Sequence, residues 1–100
     1  MIKELTTQGD HVVVSLYDEL TVTDAADLRE QLYHKIEEGC AKFIIDMERL
    51  SFIDSAGLGI LVAVHKRTKE RGGQLKIRHA KGPVYKVFEM TRLTTVFDFE

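Results

Sequence analysis

The chain is 100 residues long, 44% apolar and 30% charged, with a formal net charge of −2. This is the composition of one ordinary globular domain, residues 1–100, with room for a single core. The small net charge gives no reason to expect nucleic acid or an anionic membrane as partner, no apolar run approaches the ~20 residues of a membrane span, and the N-terminus lacks the basic-then-apolar order of a secretion signal.

Residues 2–6 read as a short edge strand, followed by a turn at Gln8-Gly9-Asp10. "HVVVSLY" is β-branched and predicts a strand with Val12, Val14 and Leu16 on one side. A helix is expected from Thr23 to Glu38. Thr23 would serve as N-cap, Asp24 and Asp27 suit the positive helix start, and Leu28, Leu32 and Ile36 recur at i, i+4, i+8. Gly39 is a natural stop, and the lone Cys40 beside it, unable to close an internal disulfide, fits a reducing cytoplasm and a gap-filling role.

"KFIID" is a continuous apolar run, the pattern of a central strand covered on both faces. A loop from Met47 to Asp54 should lead into a second helix, Ser55 to Glu70, with Leu58, Leu61, Val62 and His65 on one side. Gly72-Gly73 end it, "QLKIRH" alternates as a half-exposed strand, Pro83 opens a short third helix, and "TTVFDF" adds a last strand. The order predicts an α/β domain with a mixed sheet of about four to five strands, three to four helices and right-handed crossovers.

Several chemistries lack their residues. The histidines His11, His34, His65 and His79 show no metal-ligand spacing, so no metal is expected. Gly57-Leu58-Gly59 has Val62 where a dinucleotide fingerprint needs its third glycine, and no phosphate-binding G-x-x-x-x-G-K occurs, so no cofactor is expected. The cations of "HKRTKERGG" are explained by a helix C-terminus. Ser55 lacks the preceding glycine of a hydrolase elbow and an assignable histidine, so the chain is not expected to be an enzyme.

What remains is "SFIDSAGLGI", residues 51–60. Ser55 could simply cap the helix, but that leaves Gly57 and Gly59 unexplained, since each costs about 1 kcal/mol relative to alanine in a helix. Such glycines let another backbone approach closely. The sequence favours at least one of them on the exposed face, with Gly59 the better candidate for burial. A serine at a helix start is also a place where the fold would accept a phosphate.

The stretch "FIIDMERLSFIDSAGLGILVAVHKRTKERGGQLKI" resembles the signature region of STAS domains, in particular the bacterial anti-sigma factor antagonists: a strand ending in Asp46, then F-[IM]-D-S-[SA]-G at Phe52 to Gly57, then a helix. "VVVSLYDELTVTDAADLREQL" and "FEMTRLTTVFDF" fit the flanking parts, so the resemblance covers the whole chain. It implies a cytoplasmic bacterial regulator that binds an anti-sigma factor serine kinase and frees the sigma factor. Ser55 would be phosphorylated by that kinase and reset by a metal-dependent serine phosphatase. The partner-binding surface it implies comprises Thr21, Thr23 and Asp24 with Asp54, Ala56, Gly57, Leu58 and Gly59, on a monomer or weak dimer. The family usually has glycine where Asp18 stands, and aspartate tolerates the left-handed backbone better than most residues. The alternative within the family is a scaffold module of a stress-signalling complex or a lipid-transport ATPase.

Overall fold

The computed structural model describes residues 2–100. They run β1 (Ile2–Gln8), β2 (His11–Leu20), α1 (Val22–Glu37), β3 (Lys42–Ile53), α2 (Ser55–Glu70), β4 (Gln74–Arg78), α3 (Gly82–Met90), a 3-10 turn (Leu93–Thr95) and β5 (Asp98–Phe99). The strands form one mixed sheet in the order β1-β2-β3-β4-β5, with β1 antiparallel to β2 and the remaining neighbours parallel. A tight turn at Gly9-Asp10, with Gly9 at φ +64°, allows the antiparallel pair. Each parallel pair needs the crossover that α1, α2 or α3 supplies. The α/β class and the element order match the sequence expectation.

All three helices bury their apolar faces in one cluster with alternate residues of the sheet. Val12, Val14 and Leu16 of β2 meet Phe43, Ile45 and Met47 of β3 and Leu75 and Ile77 of β4. Leu28, Leu32 and Ile36 of α1 pack onto them and are 0, 0 and 1% exposed. Burying each such side chain contributes about 1.5–3 kcal/mol. Cys40 packs against the same cluster, half-buried. Among the described residues no helix is long and apolar enough to cross a membrane.

Both faces of the first half of β3 are buried, as its apolar run predicts: Phe43 and Ile45 are 0% exposed on one face, and Ile44 and its register partner Val13 are 7% and 4% exposed on the other. Their neighbours on that second face of the sheet are Thr6, Ser15, Asp46 and Lys76. The structure corrects one expectation about β3, the loop at Met47 to Asp54, because β3 continues to Ile53. β2 runs on beside it, pairing Tyr17 with Arg49, Asp18 with Leu50, Glu19 with Phe52 and Leu20 with Ile53 across two register shifts. Those bulges break the period-2 alternation by which a strand is read from sequence. Asp18 lies in this irregular stretch at φ +63°, and its carbonyl accepts the Ser51 hydroxyl at 2.8 Å. Asp18 therefore holds the left-handed backbone itself.

His65, expected on the inner side of α2, is buried against Phe97 with ring centroids 5.1 Å apart, and its Nδ1 has no hydrogen-bond partner. Burial, and then the Lys69 charge, hold its pKa below the usual value, with Asp98 and the Val96 backbone opposing. The unfolded chain therefore binds the proton more readily, and stability should fall as pH drops below about 6.5. In urea unfolding from pH 7 to 5, His65→Leu should flatten that decline. A variant with the wild-type slope would contradict this role.

Candidate functional site

Because β2 and β3 are parallel, both deliver their following helix at the same edge of the sheet. Their last pair is Leu20 with Ile53, and the Asp54 N–H donates to the Leu20 carbonyl at 3.2 Å. Asp54 then joins the two helix starts. Its Oδ1 accepts the Gly57 N–H at 2.9 Å and its Oδ2 accepts the Val22 N–H at 3.0 Å. One carboxylate thus satisfies a first-turn donor of both α1 and α2.

This corrects the cap expected at Thr23 and decides the reading left open for Ser55. The N-cap of α1 is Thr21, without a side-chain bond, and α1 begins at Val22 rather than after Thr23. The N-cap of α2 is Asp54, so Ser55 is not the capping residue. Aspartate takes the task because its second oxygen reaches the neighbouring helix, which a hydroxyl cannot do.

The Gly57 N–H holds the Asp54 carboxyl below the ordinary carboxylate pKa; desolvation, the next effect in size, opposes it, and the Val22 N–H adds a smaller downward pull. The folded chain therefore prefers the charged form. Its contribution to stability is present above the unfolded pKa of about 4 and is lost as pH falls through the lowered folded value. Asp54→Asn keeps one acceptor but no charge, so its unfolding free energy should lose this acid-sensitive component between pH 5 and 2. An unchanged acid limb would contradict the assignment.

With the cap supplied by Asp54, the Ser55 hydroxyl is left exposed and without a hydrogen bond among the described residues. Ser51, the other serine of the segment, is engaged with Asp18. Around Ser55 the expected surface residues divide. Thr23 and Gly59 are exposed, while Thr21, Asp24, Asp54 and Ala56 are half-buried. Gly57 and Leu58 are buried.

The two glycines also exchange places relative to expectation. A Cβ on Gly57 would stand 2.7 Å from the Leu20 carbonyl oxygen, 2.9 Å from Leu20 Cγ and 3.0 Å from Ile53 Cγ1, whereas one on Gly59 meets nothing within 4 Å. Gly57 is the buried glycine because the close approach of α2 to the end of β2 falls there. Two exposed apolar side chains went unread in the sequence: Val22 is 69% exposed and Phe52 is 49% exposed. They flank the Asp54 junction, and the bulged strand left no alternation by which to find Phe52.

The basic end of α2 is accounted for locally. The Arg67 guanidinium lies 4.3 Å from the Tyr33 ring centroid, and Arg71 donates to the Ile36 carbonyl at the end of α1 at 3.5 Å. Both contacts tie α2 to α1.

Comparison with known proteins agrees with this architecture. The chain is 33% identical over 87 residues to an anti-sigma-B factor antagonist of Bacillus subtilis, covering 87% of this chain and 79% of that protein. A Staphylococcus aureus protein of the same name is 30% identical over 90 residues, covering 90% and 83%. Among solved structures, the anti-sigma factor antagonist SpoIIAA in its unphosphorylated form superposes with a TM-score of 0.81 at 23% identity, covering 99% of this chain and 87% of that one. The phosphorylated form of the Bacillus cell fate determinant SpoIIAA gives 0.80 at 24%, covering 99% and 91%. The STAS domain model matches residues 3–100, and with both helix starts set on one bulged parallel pair, this chain belongs to the STAS domain family.

Proposed function

We propose that the chain is an anti-sigma factor antagonist whose paired helix starts bind a kinase-type anti-sigma factor while Ser55 is unmodified. Binding frees the sigma factor. The kinase then transfers the γ-phosphoryl of its own ATP to Ser55 Oγ, ADP leaves, and the complex ends. A metal-dependent serine phosphatase restores the hydroxyl, and the cycle runs in the bacterial cytoplasm. The chain acts by binding rather than by catalysis.

The observation that carries this reading is a serine hydroxyl at a helix start that the fold does not use, because Asp54 performs the cap. A phosphate there would meet first-turn N–H groups and the positive end of the helix dipole, so the domain can accept it. It would also place about −1.5 to −2 charges next to the Asp54 carboxylate and beside exposed Val22 and Phe52. A partner surface that is apolar or acidic would be repelled. The relatives' names support the role, and SpoIIAA, which shares the fold, is known in both forms.

Incubation with a kinase-type anti-sigma factor and ATP should place one phosphate on tryptic residues 50–66, which contain both Ser51 and Ser55. Fragmentation mass spectrometry should assign it to Ser55. Phosphate mainly on Ser51 or on a threonine would overturn the assignment.

A further inference from the structure

The sheet face away from the helices brings together three side chains that the sequence spacing did not connect. Asp46 and Glu48 lie on β3 where its register against β2 shifts, and both carboxylates reach the same imidazole, that of His79. Asp46 pairs in register with Arg78, which places His79 just past the end of β4, beside them. His79 takes the left-handed backbone at φ +60°. Its Nδ1 lies 3.0 Å from Asp46 Oδ1 and 3.7 Å from Glu48 Oε2. Asp46 Oδ1 is itself held by the Glu48 N–H at 3.1 Å.

We propose that Asp46, Glu48 and His79 form a binding site for a divalent metal ion of the zinc class. One atom from each residue falls within 4.8 Å of the others, and they are the one such group of three among the described residues. Metal–ligand bonds of about 2.0–2.2 Å set neighbouring donor atoms about 3.0–3.4 Å apart, depending on whether the ion is octahedral or tetrahedral. The observed 3.0 and 3.7 Å from His79 Nδ1 bracket that separation, so an ion can sit between the imidazole and the two carboxylates, displacing any proton Nδ1 carries. The displaced proton goes to solvent. A nitrogen donor with two carboxylates favours zinc, cobalt or nickel over magnesium and calcium, which prefer oxygen alone. Glu48 and His79 are exposed, so water can complete the coordination.

The test is a zinc titration of the whole chain by calorimetry, with ¹⁵N spectra to locate the ion. His79→Asn suits the left-handed backbone and removes the imidazole, and Glu48→Gln removes one charge at an exposed position. Expected are one zinc per chain, shifts at the His79 ring and the Glu48 amide, and an affinity at least about tenfold weaker in each variant. The pairs His11–Asp10 and His34–Glu38 offer two groups each and serve as internal controls. Zinc found at those pairs, binding that survives both variants, or no binding at all would leave His79 as a surface histidine in contact with Asp46 and overturn the proposal.

Discussion

Gly57→Ala is expected to destabilise the chain by roughly 1–3 kcal/mol, the ordinary cost of overpacking. Gly59→Ala, two positions along the same helix, is expected to stabilise it by up to about 1 kcal/mol. Both substitutions improve helix propensity equally, so the difference between them isolates packing. At Gly57 the added methyl meets the Leu20 carbonyl oxygen at 2.7 Å, and backbone cannot move aside as the end of a flexible side chain can. The Leu20 carbonyl is itself held by the Asp54 N–H, which feeds the carboxylate joining the two helix starts. A shift there disturbs that junction as well as the core. At Gly59 the methyl enters open space. Urea unfolding of the two single variants checks this, and equal effects of the same sign would contradict it. Because Gly59→Ala leaves the fold intact, any loss of partner affinity it shows reports a contact at that point on α2.

How much of this was legible in the sequence depended on whether a signal was local. The stripe Leu28, Leu32, Ile36 and the bounds of α2 were readable because helix periodicity and the flanking glycines lie in the chain itself. Pro83 marked α3 for the same reason. The second half of β3 was not readable. Its pairing with Tyr17 to Leu20 passes through bulges, and the alternation that identifies a strand is lost there. Nor could sequence choose between Asp54 and Ser55 as cap, because the deciding contact is the Val22 N–H, 32 positions away. The glycines were exchanged on the same ground: helix spacing shows that one is inward but not which one meets the Leu20 carbonyl. The triad at Asp46, Glu48 and His79 depends on the β3–β4 register, which no spacing within the chain displays.

The largest functional effect should come from Ser55 itself. Asp54 already caps α2, so a phosphate on Ser55 displaces no structural hydrogen bond. A charge at a helix start changes stability by about 0.3–1 kcal/mol, so phosphorylated Ser55 and Ser55→Asp should melt close to the unmodified chain. Binding should respond far more strongly, because a like charge or an apolar patch set against the phosphate costs several kcal/mol at an interface. The most direct measurement is the affinity of a kinase-type anti-sigma factor for the unmodified chain and for the chain phosphorylated on Ser55, with thermal unfolding of both recorded alongside. The expected result is tight binding of the unmodified chain, at least about a hundredfold loss on phosphorylation (some 2.7 kcal/mol) and near-identical melting. Equal affinity of the two folded forms, or a phosphorylated chain that unfolds, would contradict the switch.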